Sequence, residues 1–281
     1  MHVARIALRV SDVGRSTDFY SRVTGLAVRG GDDDAASLGA PDGGPARLEL
    51  RRAARPGPAP RRAAGLFHTA FRYPGRDGLG AALRRLAEAR QPLTGASDHL
   101  VSEALYLDDP DGLGIELYRD RPRSEWPPPA PGERVRMDTL PLDLDPILAA
   151  AAPGAGAEGI EIGHVHLKVA DVERSVRFWT EAIGLELMTR FGADAAFLAD
   201  GGYHHHVGVN AWFSRGAELE PADGPGLDRV VVGVDDPDAL ERLRGRLEAA
   251  AAPVGGSAGR VETKTPDGTP VAIEASVRSH P

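Results

Sequence analysis

The chain has 281 residues, 42% of them hydrophobic and 26% charged, an ordinary globular balance with room for one large or two ordinary domains. A net charge of −8 without any Lys/Arg-rich run argues against a nucleic-acid partner, and the absence of cysteine excludes disulfides, thiolate metal ligands and a cysteine nucleophile. No apolar run approaches the roughly 18 residues of a membrane span, and the first residues enter a strand pattern with no signal-peptide core, so a cytoplasmic protein with no membrane partner is expected.

From Arg5 the sequence RIALRVSDVGRSTDFY reads as an alternating strand, a helix start at Ser11-Asp12 and an amphipathic helix that ends near Gly25-Leu26. The same pattern returns from His164 as HVHLKVADVERSVRFW, ending near Gly184-Leu185. Weaker copies begin at His68 (HTAFRYP) and at Arg229 (RVVVGVDDP), each followed by a helical stretch and by a turn signal, Pro110-Asp111-Gly112 or Pro266-Asp267-Gly268. The chain therefore parses into four βαβββ modules at 4–51, 66–118, 162–213 and 227–276. The first two fall in an N-terminal pair, 1–120, and the last two in a C-terminal pair, 160–281. Between them, 121–159 is rich in proline and alanine and reads as a linker with one short helix from Asp145 to Ala152.

Polar residues of metal chemistry gather in five strand-like stretches. They are His68 in LFHTAF, Asp98-His99 running on to Tyr106, Glu116 in GLGIEL, and two histidine clusters, His164/His166 and His204/His205/His206. Two imidazoles and one carboxylate are what a mononuclear Fe(II) site with open positions needs. Period-two alternation puts His164 and His166 on one strand face, and His204 and His206 on a face opposite His205. Bland alternatives exist for each: His68 as a buried structural histidine, Tyr106 as a core aromatic, the triple histidine as a polar strand edge. Asn210 and Trp212 share the parity of His206 and read mainly as packing residues. A carboxylate at the centre of an apolar strand is costly unless compensated, which favours a ligand role for Glu116.

The repeated strand start GHVHLKVADVERSVRFW and the module end DDPDGLGIELYRDRP resemble the vicinal oxygen chelate superfamily (glyoxalase, bleomycin-resistance and extradiol-dioxygenase proteins), over nearly the whole chain. Within it the resemblance is to the two-domain, catechol 2,3-dioxygenase-like branch. It implies an α+β fold in which paired modules curl into half-open mixed β-barrels, with metal ligands on the first and last strands of a module. At the first-strand position the modules carry Arg5, His68, His164 and Arg229, and at the last-strand position Glu116 and Ala272 stand in modules two and four. Arginine is a permanent donor and cannot ligate. The complete set His68, Glu116 and His164 is thus split between modules two and three, which are expected to pair, leaving one and four as scaffold; repeat register favours His164 over His166. The scaffold arginines, Arg5 and Arg229, are each expected to meet a carboxylate, a backbone carbonyl or water, with Glu49 and Glu274 as candidate partners in either pairing.

By the same resemblance His206 matches an acid–base histidine, Tyr106 a catalytic tyrosine and His99 a polar residue near the substrate. The implied activity is Fe(II)-dependent extradiol cleavage of a catechol-type diol with O2, with Mn(II) or Zn(II) as other candidate metals. Two alternatives stand beside it: a non-oxidative metal-dependent lyase, isomerase or transferase of the superfamily, and a metal-free protein that sequesters an aromatic ligand. A homo-oligomer is compatible with all three.

Overall fold

A computed structural model describes residues 1–152, 154, 156–257 and 259–275; positions 153 and 155 of the expected linker and the end of the fourth module, 276–281, lie outside the described residues. The first module contains β1 (His2–Val10), α1 (Val13–Thr24), β2 (Ala27–Gly31), β3 (Ala35–Gly39) and β4 (Ala46–Arg52). The second contains β5 (Gly65–Tyr73), α2 (Arg76–Glu88), β6 (Gly95–Asp98), β7 (Ser102–Asp108) and β8 (Gly114–Asp120). After a 3-10 turn (Arg123–Glu125), the connecting segment holds a two-residue strand, β9 (Leu140–Pro141), and a short helix, α3 (Asp145–Ala149). The third module runs through β10 (Glu161–Lys168), α4 (Val172–Arg177) with a π-helical continuation (Phe178–Ile183), β11 (Glu186–Phe191), β12 (Ala195–Ala199) and β13 (Val207–Asn210). The fourth comprises β14 (Gly226–Val234), α5 (Pro237–Ala249), β15 (Gly255–Ser257), β16 (Arg260–Lys264) and β17 (Pro270–Ala275).

These strands form two curled mixed sheets. One has the order β15-β16-β17-β14-β1-β4-β3-β2, the other β11-β12-β13-β10-β5-β8-β7-β6-β9. The seam of the first is the antiparallel pair β1/β14 and that of the second is β5/β10. Module one therefore pairs with four and two with three, as the distribution of ligand residues implied. Each sheet takes one module from each half of the chain.

Sequence-adjacent modules are joined on the helix side, and here the repeated motif finds its physical reason. Asp12 and Asp171 cap α1 and α4 by accepting the backbone N–H of Arg15 and Arg174, each at 2.9 Å. The same two arginines reach the Pro-Asp-Gly turn of the following module, where Arg15 meets Asp111 and Arg174 donates to Asp267 at 2.6 Å. At the other end of these helices Gly25 and Gly184 take left-handed φ values of 81° and 97°. Guanidinium groups from the next module's helix close the exposed carbonyls: Arg85 donates to Thr24 O (3.1 Å) and Arg246 to Ile183 O (2.6 Å).

The segment expected to be a plain linker does more than connect. Arg134 and Val135 donate to the carbonyl of Met188 on β11 (2.8 and 3.3 Å), and a few residues later β9 pairs with β6. Strands β11 and β6 lie on opposite sides of the nine-stranded sheet, so residues 134–141 span the mouth of its curl as a strap. The short helix stops at Ala149 rather than Ala152 and packs on α2.

That packing depends on Gly80 of α2. A Cβ there would stand 2.3 Å from Ile147 O and 2.8 Å from Ala151 N, backbone atoms that cannot rotate aside. Gly80→Ala gains roughly 1 kcal/mol of helix propensity but incurs an overpacking cost of about 1–3 kcal/mol. The expected outcome in urea denaturation is net destabilisation; equal or higher stability would show that α3 simply shifts away.

Candidate metal centre

The nine-stranded sheet assembles the site by register. Ala70 on β5 lies between His164 on β10 and Glu116 on β8, and Glu116 in turn faces Tyr106 on β7. Residues in such a row project from one face, and the small Ala70 side chain lets the imidazole and the carboxylate meet above it. The neighbouring row is Gly208, His166, His68 and Gly114. Because side chains alternate along β5, His68 shares the face of Ala70. A Cβ on Gly208 would approach the His166 ring to 2.9 Å, so glycine at this position makes room for that imidazole.

The rows converge on three atoms. Glu116 Oε2 is 3.0 Å from His68 Nε2 and 3.0 Å from His164 Nε2, and all three ligand atoms lie within 4.8 Å of one another. The side chains are buried, with Glu116 only 2% exposed. Two ligands at roughly 2.1 Å from a metal and 90° apart are themselves roughly 3 Å apart, so each imidazole–carboxylate separation suits adjacent positions on one ion. His68 Nε2 supplies the decisive detail, since it is buried and has no aligned hydrogen-bond partner despite its closeness to the carboxylate. A buried ring nitrogen without an aligned partner is costly, and a cation compensates for it.

Protonation fits the same assignment. Burial alone would raise the Glu116 carboxyl, but His164 and then His68 outweigh it and hold the group well below the usual carboxylate range. Burial pushes the His164 imidazole down to about 4. An ionised carboxylate beside a neutral imidazole is the form that binds a metal. His166 lies outside the cluster, with its Nε2 3.1 Å from Asn210 Nδ2.

The cluster opens into a cavity of about 400 Å³ walled by Phe67, Phe191, Phe197 and Trp212, with Met137 and Thr139 of the strap across it. Tyr106 and His99 both line it. His99 Nδ1 is 2.7 Å from the carbonyl of Asp138 in the strap and must donate to it, which leaves Nε2 to accept the Tyr106 O–H at 2.6 Å. Burial, and then the Glu116 carboxylate, raise the Tyr106 phenol well above its ordinary value, so it keeps its proton.

His206 is placed elsewhere. It lines a separate polar cavity of about 320 Å³ with Arg72, Glu161 and Tyr203, and Asp200 N donates to its Nδ1 at 3.2 Å. The histidine that enters the aromatic-walled cavity is His205, whose ring centroid lies 4.0 Å from that of His164. The cavity-facing histidine differs from the one that strict alternation with β13 would give, because the regular ladder of β13 begins only at Val207. Residues 201–206 form a turn that shifts the parity by one. Trp212, expected to be a packing residue, walls the cavity and is 44% exposed.

The eight-stranded sheet repeats this framework without the ligands. Arg5 occupies the place of His164, opposite Val231, which pairs with Ala272 where the other sheet has Glu116. Its guanidinium Nε is 2.8 Å from Glu49 and its Nη2 is 3.5 Å from Glu274, so both candidate carboxylates fall to Arg5. Arg229, half-buried opposite Ala7, has no such carboxylate among the described residues.

With this geometry in view, the comparisons with known proteins are specific. The signature of the Glyoxalase/Bleomycin resistance protein/Dioxygenase superfamily matches residues 2–117 and 161–268, most of both halves. The chain belongs to this superfamily. It is 37% identical over 254 residues to a protein of Bacillus subtilis (strain 168) named catechol-2,3-dioxygenase, covering 89% of this chain and 88% of that one. In fold, it is similar to a putative dioxygenase structure from Bacillus subtilis subsp. subtilis str. 168, with a TM-score of 0.68 at 14% identity, covering 98% and 85% of the two chains. Glyoxalase I from Zea mays shares the fold at a TM-score of 0.60 and 18% identity, covering 98% and 92%.

The contrast between the two sheets carries a prediction. Arg5→His should leave metal uptake at one ion per chain by elemental analysis, because Arg229 and Ala272 supply no companion ligand. A stoichiometry rising to two would mean that the scaffold sheet is one substitution from a working centre.

Proposed function

We propose that the protein is an Fe(II)-dependent extradiol dioxygenase that opens the ring of a catechol-type vicinal diol with O2 in the cytoplasm. The observation that carries this is the convergence of two imidazoles and one carboxylate, with one ring nitrogen lacking an aligned partner, at the wall of an aromatic-lined cavity. The 37% identical relative named catechol-2,3-dioxygenase supports the same activity, and among the described residues no helix is long and apolar enough to cross a membrane. A sequestration protein would gain nothing from burying Glu116 between two histidines, and Zn(II), having no redox chemistry, does not suit a reaction with O2.

His68, His164 and Glu116 would hold the iron, which when bound supplies open positions for diol oxygens and O2. The chain's own groups then divide the remaining work. Phe67, Phe197 and Trp212 offer apolar surface for an aromatic ring and exclude water. His205 is held well below its ordinary pKa by burial and then by neighbouring imidazoles, so it is neutral and can accept a proton from a diol hydroxyl. Tyr106 keeps its single O–H, which can turn from His99 to an oxyanion that develops beside Glu116. The strap fixes that donor through Asp138 and His99.

Oxygen uptake by the anaerobically iron-loaded protein with a panel of catechols is the direct test, with a ring-opened semialdehyde as the expected product. Glu116→Ala should lose iron, while His205→Ala should keep it and turn over at least about a hundredfold more slowly, the lower end of acid–base contributions. His206→Ala should retain nearly full activity. A large loss in His206→Ala with little in His205→Ala would reverse the assignment of the two histidines.

A further inference from the structure

The proposed function uses His205 but not the groups behind it. His204, fully buried, has its Nδ1 2.7 Å from His205 Nδ1 and its Nε2 2.8 Å from Asp120 Oδ1. Asp120 ends β8, four residues beyond Glu116, and is also held by Arg72 (2.8 Å) and by the Tyr203 hydroxyl (2.9 Å). These contacts form a line from the aromatic-walled cavity, which His205 lines, to the polar cavity lined by Arg72 and Tyr203.

Hydrogen-bond polarity makes this line directional. Arg72 and the Tyr203 hydroxyl donate to the Asp120 carboxylate at 2.8 and 2.9 Å, so it stands as an acceptor toward His204 as well. His204 Nε2 must then carry a proton. Asp120 already has the Arg72 guanidinium as its ion-pair partner, so a single proton on His204, at Nε2, satisfies the contact between them. His204 Nδ1 is therefore bare. Only one proton fits between the two Nδ1 atoms, and it must belong to His205.

Building on the dioxygenase reading, we propose that Asp120 and His204 are positioning residues that fix His205 as the Nδ1–H tautomer and so present a bare Nε2 to the diol. The logic is that of a catalytic histidine oriented by a buried acid, with a second imidazole inserted as the connector. The carboxylate reverses its effect if it becomes a donor. In Asp120→Asn, an amide N–H can donate to His204 Nε2, which would move the proton to His204 Nδ1 and leave His205 protonated on Nε2, the wrong tautomer for a base.

Steady-state kinetics of the iron-loaded protein with catechol, together with ¹⁵N NMR of the metal-free, ¹⁵N-histidine-labelled protein, tests this. Asp120→Asn and His204→Leu should lower kcat about ten- to a hundredfold, the usual effect of such outer partners, with KM and iron content nearly unchanged. His204→Gln, whose amide can both donate to Asp120 and accept from His205, should recover most of the loss. In a His205→Ala background, Asp120→Asn should cost nothing more. The NMR spectrum should show His205 with a bare Nε2 in the wild type and a bare Nδ1 in Asp120→Asn. A wild-type His205 protonated on Nε2, or a rate loss that persists undiminished in the His205→Ala background, overturns the inference. If the wild type turns over no catechol, the dioxygenase reading fails while the tautomer measurement still decides this one.

Discussion

The antiparallel ladder between β5 and β10 is the constraint on which the site rests. It joins strands from opposite halves of the chain and sets His166 against His68 and His164 against Ala70. A parallel neighbour, β8, then brings Glu116 beside Ala70. Slippage of β10 by one residue would turn His164 and His166 to the helix-covered side of the sheet and leave Glu116 buried with one imidazole. The buried carboxylate is thus both the reason a cation fits and a penalty against every other register.

The second sheet shows how much of the architecture is independent of that chemistry. Its strand order mirrors that of the first, and its helices carry matching caps, left-handed glycines and arginine contacts. What differs is the occupant of the face. Arg5 with Glu49 and Glu274 fills the space that His164 and Glu116 share in the other sheet, so an ion pair between side chains replaces a candidate ion site. The strap adds a further difference, because it crosses the mouth of only the nine-stranded sheet and ties the Tyr106–His99 pair to the connecting segment.

Much of this was legible in the amino-acid pattern. The repeat revealed four modules because caps, turns and helix-closing glycines are local devices with short sequence signatures. The crosswise pairing was readable because ligands stood in modules two and three while arginines stood in one and four. Three features were hidden for definite reasons. That His205 rather than His206 lines the aromatic-walled cavity was hidden because alternation applies only within a regular strand, and β13 starts after the triple histidine. The strap escaped notice because its ladder is two residues long and its other anchors are backbone donors at Arg134 and Val135. The contact of Asp120 with His204 joins residues far apart in sequence and has no local signature.

The central claim is that one metal sits among His68, His164 and Glu116, contributed by two modules from different halves of the chain. Anomalous diffraction at the iron absorption edge, from crystals of the Fe(II)-loaded protein, addresses it directly. The account predicts a single strong peak per chain within bonding distance of His68 Nε2, His164 Nε2 and a Glu116 carboxylate oxygen. A peak at the His204–His206 turn, a peak ligated by His166 in place of His164, or a second peak beside Arg5 would contradict it.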